Sequence, residues 1–199
     1  MAKARKTARK PAHTLRASAR KAAPNGAIAL LKSDHRQVEA WFEEFLSARA
    51  PGRKQDLARR ICQALKVHTE IEHEIFYPAF LEATGEKDIH HEAEVEHQGA
   101  KKLIAEIELS GPEDEYYDAK VKVLSEAIKH HVNEEERRGG MFAKARQSDM
   151  DLRAMGEQLA SRKAQLMDKT AESVPEASSA GSSSLPGRSR QDSRSTLRH

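Results

Sequence analysis

Residues 65–78 read LKVHTEIEHEIFYP, and the placing of the polar side chains in this stretch decides how the chain folds. Leu65, His68, Glu72 and Ile75 follow one another at spacings of three, four and three, so on an α-helix they share one face. Residues four apart differ by about 40° around the axis and about 6 Å along it, so His68 and Glu72 can reach one ion. A carboxylate on an apolar face is costly to bury without a partner. Glu72 therefore asks for one.

The pattern returns in KHHVNEEE, residues 129–136. Leu124, Ile128 and His131 lie on one stripe, and Glu135 continues it. His130 is turned away by about 100°. His131 and Glu135 are the expected inward pair, with His130 and Glu134 as the alternative that a slip in register selects. Two more histidines fall on apolar stripes. His35, in LLKSDHRQVEAWF, follows Leu31 by four and precedes Val38 by three; His97, in HEAEVEHQGAKKLIAEIE, follows Ala93 by four and precedes Ile104 by seven. Any one of these is ordinarily a core histidine bonded to a neighbour. Together they place one imidazole on each of four helices, and two of the helices add a glutamate one turn on. Four imidazoles and two carboxylates suit two transition-metal ions, with the carboxylates as bridges. The donors favour iron over magnesium or calcium, and no thiolate cluster of structural zinc is present. Manganese or zinc could substitute.

The helices around these motifs are read from periodicity. The first is expected over about 27–48, with Ile28, Leu31, Val38, Phe42 and Phe45 inward. The second runs over about 54–82, bent or ended near Pro78 and closed by Gly85. The third covers about 88–109. The fourth begins near Glu113, after SGPED, and is broken by Gly139-Gly140. Strand-like alternation is absent. Four amphipathic helices with short connections predict an all-α, up-down-up-down antiparallel four-helix bundle. Residues 24–146 form this domain. Residues 147–172 are a candidate short helix with Leu152, Met155, Leu159 and Leu166 on its apolar side.

The chain has 199 residues and a formal net charge of +3, unevenly distributed. Residues 1–23 carry eight Lys or Arg and no acid, whereas residues 24–146 carry 18 basic and 24 acidic side chains. The basic N-terminal arm and the Ser/Arg-rich tail over 173–199 have the composition of flexible segments. The arm lacks the apolar segment of a secretory signal, and no apolar run is long enough to span a membrane. A cytoplasmic protein is the expectation, with an organellar targeting peptide as the other reading of the arm. The lone Cys62 makes no intrachain disulfide, and its flanking pattern assigns it to packing. No phosphate loop, nucleotide fingerprint or nucleophile triad occurs.

The segments DHRQVEAWFEEF, HTEIEHEIFYPAF, EHQGAKKLIAEIE and HHVNEEE resemble, in order and spacing, those of the hemerythrin-like, or HHE cation-binding, family. The resemblance covers about 27–146. It implies a non-haem diiron centre held by His35, His68, Glu72, His97, His131 and Glu135, with the two acids bridging the irons. Oxygen-carrying members have another histidine four residues before the position of His97. Here that residue is Ala93, so one iron lacks a ligand or takes it from Glu94, His90, His73 or water. His73 also stands where many relatives have a second acid, and Gly139-Gly140 interrupts a stretch that relatives write as helix.

The function expected is binding or sensing of dioxygen, peroxide or nitric oxide, or of iron or redox state. Tyr77, Tyr116 or Trp41 could supply contacts around the site. Peroxidase-like or oxidase-like turnover at the same metals is one alternative, and the sequence does not separate binding from enzymatic activity. A scaffold whose basic arm makes weak contact with nucleic acid or another surface is the other. No protein partner is indicated.

Overall fold

The computed structural model describes residues 26–172; the basic arm and the Ser/Arg-rich tail lie outside them. Helix α1 spans Ala27–Ser47. Helix α2 spans Pro51–Ile71, runs into a π-helical turn over Glu72–Phe76, and continues as α3 over Tyr77–Thr84. Helix α4 spans Lys87–Glu108 and α5 Tyr117–Glu136; α6 covers Met141–Gln147 and α7 Leu152–Glu172. Among the described residues there is no strand, and no helix is long and apolar enough to cross a membrane.

Four rods form the bundle: α1, the composite α2–α3, α4 and α5. Each packs on two neighbours, in the ring α1, α2, α4, α5. Successive rods lie side by side and are joined by short connections, which makes them antiparallel. The bundle expected from periodicity is the one observed. Helix α7 packs outside it, against α1 and α2.

Two helix starts differ from expectation. Helix α2 begins at Pro51, in its first turn, where a missing N–H is no loss. The fourth rod begins at Tyr117 rather than near Glu113. The intervening acids make a turn instead: the Asp114 N–H donates to the Gly111 carbonyl (2.9 Å), and the Asp114 carboxylate accepts from the Tyr116 N–H (2.8 Å).

Pro78 neither ends nor simply bends the second rod. It has no N–H to offer the carbonyl one turn back, and the chain widens into the π turn, where the Tyr77 N–H bonds the Glu72 carbonyl. The wider turn brings the consecutive residues Phe76 and Tyr77 both to 0% exposure. Gly85, at φ 69°, then closes the rod in the left-handed region.

The core has two apolar halves. One gathers Leu31, Ile71, Phe76, Phe80, Phe142 and Leu159; the other gathers Val38, Phe42, Leu57, Ile61, Leu65 and Leu124. Cys62 belongs to the second half, where burial pushes its thiol up to about 12. Between the halves, at matching heights on the four rods, lies a layer of buried polar side chains.

Candidate metal centre

That layer consists of His35 from α1, His68 from α2, Glu72 from the π turn, His97 from α4, and His131 and Glu135 from α5. None is more than 5% exposed. The other register on α5 faces outward: His130 is exposed and Glu134 pairs with Arg137.

The imidazoles form two pairs. The Nε2 atoms of His35 and His68 are 3.1 Å apart, as are those of His97 and His131. Each carboxylate spans both pairs. Glu72 lies 3.2 Å from His68 Nε2 through Oε1 and 3.5 Å from His97 Nε2 through Oε2. Glu135 lies 3.4 Å from His35 Nε2 through Oε2 and 3.8 Å from His131 Nε2 through Oε1. Two groups satisfy the spacing of a metal site here, His35–His68–Glu72 and Glu72–His97–His131, with Glu72 common to both.

Outer partners determine which ring nitrogens carry protons. His35 Nδ1 faces Glu136 (2.9 Å) and His131 Nδ1 faces Glu96 (2.8 Å). His68 Nδ1 faces Asp34 (3.5 Å), which is itself paired with Lys163 of α7. His97 Nδ1 faces His73 Nε2 (3.3 Å), and His73 Nδ1 in turn faces Glu94 (2.9 Å). A carboxylate accepts only, so the contacts of His35, His68 and His131 put the proton on Nδ1; Glu94 likewise takes the His73 Nδ1–H, which leaves His73 Nε2 to accept from His97 Nδ1, and each neutral ring then turns its Nε2 lone pair inward. The four Nε2 atoms then meet four carboxylate oxygens, and the Tyr77 hydroxyl reaches Glu135 among them. Both oxygens of Glu72 and Oε2 of Glu135 are buried without a hydrogen bond. Lone pairs facing one another in a dry interior repel, and positive charge, from a proton or a metal ion, removes the repulsion. The donor set thus fits two metal ions of borderline character.

The ionisation of the ion-free cluster shows the same demand for positive charge. Burial pushes the Glu135 carboxyl up, and the nearby charge of Glu72 pushes it further. Glu72 moves the other way: burial opposes ionisation, but the facing imidazoles, His68 first, pull its pKa below the usual carboxylate range. Burial holds the His97 ring down to about 3. For His68, burial acts downward, but Glu72 and Asp34 outweigh it and lift the ring to about 10.

Of the aromatic residues considered around the site, Tyr77 is the one in it. Its hydroxyl donates to Glu135 Oε1 (3.2 Å) and lies 3.3 Å from His97 Nε2. Tyr116 is exposed and Trp41 packs on the far half of the core. The missing histidine at Ala93 is not replaced by His73, which is the outer partner of His97, or by His90, which faces Glu94. Glu94 and Glu96, easily read as surface residues, are both half-buried partners of site histidines or their neighbours. The break at Gly139-Gly140 also has a local consequence: α6 turns back so that the Phe142 ring stacks on His35 at 5.8 Å.

A four-helix bundle with a buried, two-centre His/Glu cluster defines the class. Residues 26–144 match the hemerythrin HHE cation-binding domain, and the chain belongs to that family. Among solved structures it is similar to a hemerythrin HHE cation-binding domain-containing protein from Mycobacterium kansasii. The TM-score is 0.65 at 20% identity, covering 76% of this chain and 93% of that one. Among curated proteins it is similar to a DNA nickase from Nostoc sp., 28% identical over 107 residues. That match covers 54% of this chain but only 30% of the relative's length.

Proposed function

We propose that His35, His68, Glu72, His97, His131 and Glu135 hold two non-haem iron ions, and that the pair binds dioxygen, peroxide or nitric oxide. The observation that carries this reading is that each carboxylate addresses both imidazole pairs, the arrangement a bridged pair of ions needs. Two adjacent irons would supply open Lewis-acid positions and electrons to a small ligand. The chain's own residues hold and orient the donors. Glu136, Asp34, Glu96 and His73 fix the rings, and Tyr77 holds a proton beside Glu135 Oε1.

A mostly apolar groove between α1 and α5 supports a small, weakly polar ligand. Phe42, Leu46, Ile128 and Val132 line it and His35 lies at its inner end. His35, Ile128 and Val132 also line the inner space that reaches His68, His97 and His131. The test is metal analysis together with absorption spectra of reduced, oxygen-exposed and nitric-oxide-exposed protein. About two irons per chain with ligand-to-metal bands are expected. Reconstituted protein that holds less than one iron and shows no such band would overturn the reading.

Tyr77 favours a second reading, reductive turnover of peroxide, because a phenol beside the donors can give a hydrogen bond to a leaving oxygen. Steady-state peroxide consumption with a reductant separates turnover from binding. The eight basic residues of 1–23 and the DNA nickase relative motivate a third reading, contact with nucleic acid. A mobility shift that survives deletion of residues 1–23 would remove the arm from that account.

A further inference from the structure

Outside the buried layer, one more group of donors has metal-site spacing. Glu92 and Glu96, one turn apart on α4, and His130 on α5 each place a donor atom within 4.8 Å of the other two. Glu96 joins this group to the interior. Its Oε1 is 3.1 Å from His130 Nε2, and its Oε2 is 2.8 Å from Nδ1 of the buried His131. A narrow cleft opens beside it. Glu92 is exposed and Glu96 and Glu134 are half-buried in that cleft, while His131 and Glu135 form its buried end. Glu135, only 2% exposed, belongs both to that end and to the central layer, where its Oε2 faces His35 without a hydrogen-bond donor.

We propose that Glu92, Glu96 and His130 form an outer divalent-cation site that takes Fe(II) from solvent and passes it through the cleft to His131 and Glu135. Two carboxylates and an imidazole are a donor set for a borderline divalent ion. Three donors on an open surface bind weakly and exchange fast, as a transit site must. The carboxylates of Glu92, Glu96 and Glu134 line the cleft against the single guanidinium of Arg137, which is paired with Glu134. The excess negative charge draws a cation inward. The groove between α1 and α5 is mostly apolar, and its lining sets two carboxylates, Glu39 and Glu43, against Lys129, a smaller excess of negative charge. The protein then has two entrances of different chemistry, one for the metal and one for the small ligand. The delivery half of this proposal rests on the diiron reading of the buried centre; the outer site itself does not.

The test compares the full chain with the double variant Glu92→Gln/His130→Gln, whose two substitutions lie on the surface and spare Glu96. Mn(II) titration of iron-loaded protein, followed by electron paramagnetic resonance, is expected to show one weakly held ion more in the parent than in the variant. Anaerobic loading of metal-free protein with Fe(II) is expected to reach the same final content in both, about tenfold more slowly in the variant, the range by which charge focusing alters encounter rates. Equal Mn(II) stoichiometry would overturn the outer site, and equal loading rates would overturn the delivery role. If neither protein retains iron at equilibrium, the diiron reading falls, while the Mn(II) titration of the same samples still decides the outer site.

Discussion

Tyr77 and Glu135 show how single side chains set the chemistry of the buried layer. Glu135 Oε1 accepts the Tyr77 hydroxyl hydrogen, and Oε2 accepts none. Tyr77→Phe would leave both oxygens without a donor, so the metal-free protein is expected to lose about 1–2 kcal/mol of stability, the usual penalty of a buried orphaned acceptor. Urea unfolding of metal-free protein measures it, and an unchanged midpoint would remove the hydroxyl from this role. The pH response of Glu135 has a definite sign. Burial and the Glu72 charge raise its folded pKa above the ordinary 4.5. Once the pH exceeds 4.5, the unfolded carboxyl ionises freely while the folded one keeps its proton, and stability falls as pH rises. Glu72, shifted downward, acts in the opposite sense and in the separate window below 4.5. His35 and His97, held down by burial, also add stability as pH rises toward 6.5, so the Glu135 contribution is isolated by comparison: between about pH 5 and about pH 8, metal-free Glu135→Gln is expected to lose less stability, or gain more, with rising pH than the parent. Equal slopes in urea midpoints for parent and variant would contradict this.

At the scale of elements, the contact between α1 and α7 is set by glycine. A Cβ on Gly156 would stand 2.6 Å from the Gly26 carbonyl carbon and 2.7 Å from the Ala27 nitrogen, both backbone atoms that cannot step aside. Gly156→Ala is expected to cost about 1–3 kcal/mol, the range for overpacking a close contact. Gly99, exposed in the interior of α4, has nothing within 4 Å of its hypothetical Cβ. Gly99→Ala should stabilise by about 0.5–1 kcal/mol through the unfolded chain. Thermal melts of the two variants should move in opposite directions; parallel shifts would refute the contact argument. The π turn belongs to this scale too. It is the device that brings Glu72 and Tyr77, five residues apart, into the same buried layer.

For the whole molecule, the family match ends at residue 144, yet α7 beyond it reaches the site. Met155 and Leu159 close the apolar half-core, and Lys163 holds Asp34 against His68. Replacing Lys163 by Met keeps the aliphatic stem and removes the charge. Iron retention against a chelator is expected to fall by about tenfold, the lower end for losing an outer partner of a metal-binding histidine, with little change in melting of the metal-free protein. Retention equal to the parent's would show that α7 only packs. Chelation of the parent should itself lower the melting temperature, because ions that bind the folded chain alone stabilise it.

What the sequence determined by itself is local. The stripes on α1, α2, α4 and α5, and the polar residues interrupting them at His35, His68, Glu72, His97, His131 and Glu135, follow from a period of about 3.6 residues that any short window displays. The bundle follows from those stripes and the short connections between them. Tertiary structure decided what depends on distant partners. Glu136 reaches His35 across 101 residues and Lys163 reaches Asp34 across 129, and no periodicity announces such pairs. The fourth rod starts late because Asp114 caps a turn, and Tyr77 enters the site because Pro78 forces a wider turn. The presence of Pro78 six residues after Glu72 was a signal for that turn, but only the packed helices show which ring it carries inward. Charge and burial of each donor are properties of the assembled layer, since a carboxylate facing two imidazole pairs exists only when all four rods have met.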